Sequence, residues 1–263
     1  MSRGLGDVYK RQDGNGTEMN YSEAVKWYRK AAEQGDANAQ NMFGYCYEYG
    51  EGVAKDLAKA AEWYRKSAEQ GNATAQYTLA IFYKNGYGVT QNKAEAAKWY
   101  KKAAEQGDAN AQNSLGYCYD HGEGVEKNSA KAVEWYERAA EQGNKFAQYN
   151  LGLCYEYGDG ATKDLGRAAE WYRKSAEQGY AVAQYKLGRC YQYGDGIEHD
   201  CQKAVEWYRK SVEQGCAMAQ CDLGNCYRQG HGVEKNLEKA VEWYRKSAEQ
   251  GLSLIHISEP TRH

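Results

Sequence analysis

Eight cysteines and a scatter of histidines carry most of the reactive chemistry available to this chain, and their spacing decides what they can do. Cys46, Cys118, Cys154, Cys190 and Cys226 fall in one column with a period of 36 residues, and Phe82 occupies the same column. Phenylalanine neither binds a metal nor forms a disulfide, so the column reads as a small apolar core slot. Cys201, Cys216 and Cys221 form no C-x-x-C pair, which argues against a zinc knuckle. His121, His199 and His231 are dispersed and match no H-E-x-x-H pattern. A cysteine hydrolase or metal protein needs these residues clustered, and here whole repeats separate them. Pairs such as Gly50/Gly52 and Gly86/Gly88 lack the third glycine and the preceding strand of a dinucleotide loop, so they are loop glycines. Asn15-Gly-Thr17 and Asn72-Ala-Thr74 fit the glycosylation pattern through loop composition alone. The expectation is a chain with no catalytic residues, no cofactor and no metal.

The element that positions these residues is the stretch A-A-E-W-Y-R-K-S-A-E-Q-G at 168–179. Near-copies begin at Ala24, Ala60, Ala96, Ala132, Ala204 and Ala240, and all seven tryptophans lie in these seven stretches. A strict period of this length marks stacked copies of one supersecondary unit. Residues 13–251 divide into a partial repeat and six full ones beginning at Asp36, Asn72, Asp108, Asn144, Tyr180 and Cys216. In the repeat 36–71, Ala39, Phe43, Cys46 and Tyr47 have the i, i+4, i+7, i+8 spacing of one helical face. Gly50 stops that first helix, and the column Asn20, Asp56, Asn92, Asn128, Asp164, Asp200, Asn236 supplies an N-cap for each second helix. Glycines at 35, 71, 107, 143, 179, 215 and 251 end the second helices. Thirteen helices and no strand are expected. The small neighbours of Trp171 and Tyr172 (Ala168, Ser175, Ala176) place both rings in the helix packing.

Lys plus Arg number 34 against 36 Asp plus Glu, so no global field draws a nucleic acid backbone to the chain. No apolar run reaches the roughly 18 residues of a membrane helix. The Glu/Lys-rich second helices read as a solvated outer face. Residues 2–12 and 252–262 break the repeat. In one choice of codons the first is the reverse complement of the second, residue for residue. That DNA resembles the transposase adaptor of sequencing libraries. Residues 1–12 and 252–263 are therefore read as non-native tails flanking a repeat domain at 13–251.

The pattern L-G-x-C-Y-x-x-G-x-G-V, then Asp/Asn, then K-A-x-x-W-Y-x-K-A-A-E-Q-G resembles the Sel-one-like repeat, a relative of the tetratricopeptide repeat. The resemblance spans 13–251 and implies an all-α, right-handed solenoid that serves as a protein–protein scaffold. Local departures are Thr17, Ala161, Ala80, Tyr180 and Cys216. Cysteine-rich secreted members pair two cysteines within each repeat, whereas this chain has one per repeat. Some members were proposed to act on β-lactams, but neither S-x-x-K nor K-T-G occurs here.

Variation among the six copies separates scaffold from surface. The columns at Ala39, Gln40, Phe43, Gly44, Cys46 and Tyr47 are nearly constant. Those at Asn41, Met42, Tyr45, Glu48 and Tyr49 vary and form the opposite face, which stacking aligns into a ribbon. Tyrosine is dense there, and tyrosine is enriched at interfaces. Tyr149, Tyr185, Tyr157 and Tyr193 are expected to form a two-by-two patch with Leu153 and Arg189 between the rows, and Tyr117 and Tyr45 extend the ribbon. The partner expected there is a peptide or protein, with neither nucleic acid nor membrane involved. The alternative is the repeat arm of a larger enzyme or signalling protein.

Overall fold

A 36-residue unit with two capped helices leaves little freedom in where each helix starts and stops. The structure, a computed structural model, describes residues 21–250, so both terminal tails lie outside the described residues. The first helices are α2 (Ala37–Tyr49), α4 (Ala73–Asn85), α6 (Ala109–His121), α8 (Lys145–Tyr157), α10 (Ala181–Tyr193) and α12 (Ala217–Gln229). The second helices are α1 (Tyr21–Glu33), α3 (Leu57–Glu69), α5 (Lys93–Glu105), α7 (Ser129–Glu141), α9 (Leu165–Glu177), α11 (Cys201–Glu213) and α13 (Leu237–Glu249). All thirteen run for 13 residues, and the described residues contain no strand. Two compact units divide the chain between Ala111 and Gln112.

The caps follow the sequence closely. Asp164 Oδ1 accepts from Arg167 N at 3.0 Å to open α9, and the Asp164 N–H donates back to the Tyr155 carbonyl at 2.9 Å. Each link is thereby closed onto the first helix of its own repeat. Gly158 ends α8 at φ 76° and donates to the Cys154 carbonyl. Two caps are missing. Tyr180 and Cys216 stand at N-cap positions with no side-chain hydrogen bond, as the departures in the sequence foretell.

Within unit 2, a tyrosine on each second helix seats against a glycine on the preceding first helix, buried at Tyr136, Tyr172 and Tyr208 and half-buried at Tyr244. A Cβ on Gly152 would lie 2.5 Å from Tyr172 Cε1, so the ring needs that glycine. Close approach between repeats demands another: a Cβ on Gly160 would collide with the Ser129 carbonyl. The constant glutamine column is a clamp. Gln148 Nε2 donates to Ala140 O at 3.1 Å, while its Oε1 accepts from Gln178 Nε2 at 2.7 Å, tying one first helix to the second helices on both sides. Unit 1 repeats the device through Gln40, Ala32 and Gln70.

The two adjacent rings both pack on the core, to different depths. Tyr172 is 1% exposed, but Trp171 is only half-buried at the edge of the core. Trp171 shares its helical stripe with Lys174 as well as with Ala168 and Ser175. The Lys174 ammonium sits 3.9 Å from the indole centroid, which holds the ring at the surface side of the helix. Six of the seven tryptophans carry a Lys or Arg at i+3 within 4.5 Å of the ring centroid, and Trp27 and Lys30 repeat the pair at 5.8 Å. Trp99 is buried, whereas Trp27 is 66% exposed.

The cysteine column lies in the core. Burial pushes the thiol of Cys46 up to about 11, and those of Cys154, Cys190 and Cys226 to about 12. All eight cysteines are free thiols.

Candidate functional site

The varied face of the first helices is a continuous feature within unit 2, formed by α8, α10 and α12. Its N-terminal row is locked into the scaffold. The Tyr149 ring lies 5.9 Å from Tyr172 and 5.3 Å from Tyr180, and Tyr180 in turn stands edge-on to Phe146 at 5.2 Å. Tyr185, 8% exposed, packs 6.0 Å from Tyr208. Burial raises the Tyr149 hydroxyl to about 12 and the Tyr185 hydroxyl further still.

The C-terminal row is different. Tyr157 is 67% exposed and Tyr193 is 51% exposed. Leu153 and Arg189 are both half-buried. The two rows therefore differ in exposure, and the ring contacts of the inner row are to second-helix and loop tyrosines. Tyr117 is half-buried with its ring stacked on His121 at 4.0 Å. In unit 1, Tyr45 is half-buried and its ring is 4.5 Å from Tyr49.

A polar network beneath the exposed row joins neighbouring repeats. Lys186 Nζ on α10 donates to both carboxylate oxygens of Glu156 on α8, at 3.0 and 2.9 Å, and to Tyr157 Oη at 3.3 Å. Glu156 also accepts from the Tyr172 hydroxyl. Burial alone would raise the Glu156 carboxyl, but the hydrogen bonds from Tyr172 and Lys186 outweigh it and hold the group below the usual range. One helix on, Asp222 shows the opposite balance. Burial raises its carboxyl, and the Arg189 charge, the Asn225 amide (3.3 Å) and the Tyr185 hydroxyl only partly oppose this. The Arg189 guanidinium lies 5.4 Å from the Tyr193 centroid. Lys186, Glu156 and Asp222 were visible in the sequence as contents of the varied columns. Their partnership spans 30 residues from Glu156 to Lys186, a separation that appears only when successive first helices are set side by side.

Among the described residues no group of three His, Cys, Asp or Glu side chains is placed to hold a metal ion, and no helix is long and apolar enough to cross a membrane. The surface carries tyrosines together with paired charges and amides.

The Sel1 repeat model matches residues 3–36, 37–72, 73–108, 109–144, 145–180, 181–216 and 217–252. The chain belongs to the Sel1 repeat family. Proteins of this family generally act as protein-interaction scaffolds and are typically non-enzymatic. Its solved neighbours agree on the fold. A protective antigen of uropathogenic Escherichia coli with an SLR fold is 42% identical with a TM-score of 0.86, covering 94% of this chain and 53% of that one. A Sel1 repeat protein from Oxalobacter formigenes is 40% identical with a TM-score of 0.78, covering 86% of this chain and 91% of that one. This Sel1 chain therefore spans about half the length of the E. coli antigen. Among curated proteins, none matches the chain.

Proposed function

We propose that this Sel1 chain is a non-enzymatic scaffold that binds a protein or peptide on the first-helix face of unit 2. Tyr157 and Tyr193 make the primary contact, and Leu153, Arg189, the half-buried Tyr149 and the edge of the buried Tyr185 form the floor. Tyr117 extends the same face, and Tyr45 offers a corresponding surface in unit 1. The observation that carries this reading is the exposure of two large rings in consecutive repeats on a face whose other members are interlocked. Amphipathic rings held on rigid helices give contact area at little entropic cost, which is why tyrosine is frequent among interface hot spots.

The test is selection of a random peptide library on the intact chain, followed by affinity measurement on Tyr157→Ser/Tyr193→Ser. Selected binders should lose about tenfold or more in affinity, corresponding to 1.4 kcal/mol. Binders indifferent to this change but sensitive to Glu170→Gln/Glu206→Gln on α9 and α11 would move the site to the second helices. The E. coli antigen's greater length supports a second reading, in which the same face is the recognition arm of a longer protein.

A further inference from the structure

Tyr157 and Tyr193 share more than exposure. Each closes a first helix, and each is followed by Gly-Asp-Gly, as Tyr157-Gly158-Asp159-Gly160 and Tyr193-Gly194-Asp195-Gly196. Gly158 and Gly194 turn the chain at φ 76° and 75° directly after each ring, so an aspartate follows on the rim two residues later. Asp159 and Asp195 are both exposed, and their carboxylates make no hydrogen bond or ion pair among the described residues. The cations of the same surface are already engaged. Lys186 is held by Glu156, with only 13% of its side chain exposed, and Arg189 lies over Tyr193 with the Asp222 charge beside it. The acids that follow the two rings are thus left without a partner, with one exposed cation, Lys163, on the same loop as Asp159. This pairing of ring and acid occurs in two consecutive repeats of unit 2. Neighbouring copies break it, with His121-Gly122-Glu123 before and Gln229-Gly230-His231 after.

We propose that the α8–α10 rim binds a basic peptide segment, with two arginine side chains each laid on one tyrosine ring and paired with the aspartate of the same repeat. This rests on the reading of the first-helix face as the binding surface and specifies the class of partner. Arginine fits better than lysine, because its planar guanidinium can stack on a ring while its N–H groups reach a carboxylate. Spacing narrows the partner further. Side chains of α8 and α10 meet directly, as Lys186 does with Glu156 and Tyr157, and an extended polyproline-type strand repeats its face every three residues, or about 9 Å. Two arginines at i and i+3 therefore match two successive repeats.

Fluorescence anisotropy with labelled Gly-Arg-Pro-Pro-Arg-Gly, and with its Arg→Glu counterpart, tests this on the full chain. The arginine probe should bind and the glutamate probe should not. Asp159→Asn/Asp195→Asn should weaken the arginine probe about tenfold, as should Tyr157→Ser/Tyr193→Ser, since each removes one contact from both arginines. Thermal unfolding of each variant at the wild-type midpoint shows that the change is at the surface. Glu170→Gln/Glu206→Gln removes two exposed acids from α9 and α11 and should leave affinity unchanged. The proposal is overturned if the arginine probe does not bind, if Asp159→Asn/Asp195→Asn leaves its affinity intact, or if the Glu170/Glu206 control weakens it equally. Preferential binding of the glutamate probe, abolished by Tyr157→Ser/Tyr193→Ser, would overturn the basic partner while leaving the first-helix face as the binding surface. Library binders indifferent to the tyrosines would remove that surface as well.

Discussion

Tyr149 and Tyr157 lie two turns apart on α8, and Tyr185 and Tyr193 lie two turns apart on α10. Residue type, helix and repeat period are the same, yet the first of each pair is packed into the scaffold and the second faces solvent. Position along the first helix makes the difference. Near its N-terminus a ring meets the buried tyrosine of the second helix, Tyr172 or Tyr208. At its C-terminus the chain turns away through a glycine and leaves the ring uncovered. A column that varies between repeats is thus not automatically a binding column. Its variation can serve local packing, as with Tyr185, or remain free for a partner, as with Tyr193.

The largest effect should come from the anchor beneath the inner row. Tyr172→Ala should cost about 3–5 kcal/mol, the range for a large core aromatic, read from the urea unfolding midpoint. Tyr172→Phe should cost about 1–2 kcal/mol, because Glu156 then loses a buried donor. If Tyr172→Ala unfolds no earlier than wild type, the glycine-seated ring is not the core of the repeat. Tyr185→Ala comes next at about 3 kcal/mol, with Trp171→Ala at about 1–2 kcal/mol because its indole is only partly buried at the core edge. A greater loss at Trp171 than at Tyr172 would reverse the ranking that their exposures give.

How these differences were legible follows residue by residue. Helix ends were plain because Asp, Asn and Gly do specific backbone work at caps, and the column through Asp56 and Asp164 caps as its chemistry requires. Core cysteines were legible from one substitution, Phe82. The fate of adjacent Trp171 and Tyr172 was not, because small neighbours flank both and only the cation at Lys174 separates them. Likewise the constant glutamine looked like part of a close-packed face, while its clamp joins residues 8 and 30 positions away. In the candidate site, residue identity and helical face were readable from the period. The split into a buried and an exposed row was not, since it depends on what the second helix places opposite each turn.

Two carboxylates on this face sharpen the comparison through pH. Glu156 has its carboxyl lowered in the folded chain, so its contribution is present above the unfolded value near 4.5 and is lost as pH falls through the folded value. Asp222 has its carboxyl raised, so its ionisation costs stability above the folded value, and that cost is relieved as pH falls towards 3.8. Glu156→Gln should therefore destabilise at neutral pH, with the loss fading below pH 4.5. Asp222→Asn should stabilise at neutral pH, with the gain fading as pH approaches 4. Urea midpoints measured across this range check both signs. A neutral-pH loss in Asp222→Asn would show that its attraction to Arg189 outweighs its burial.

The smallest stability effect belongs to the exposed row, and its smallness is the point. Tyr157→Ser and Tyr193→Ser remove rings that are mostly in water, so each should change stability by within about 0.5 kcal/mol. Tyr157 carries a small extra term, because its hydroxyl accepts from Lys186 at 3.3 Å, but Lys186 keeps both Glu156 oxygens when the ring is gone. A ring kept in place for packing would report its loss in the melting curve. A ring kept for a partner would report it only in binding. Parallel measurement of the urea midpoint and of peptide affinity on the double variant separates the two: an unchanged midpoint with about tenfold weaker binding assigns the row to recognition. A loss of 2 kcal/mol or more in the midpoint would place Tyr157 and Tyr193 with Tyr149 and Tyr185 as scaffold and erase the distinction between the rows.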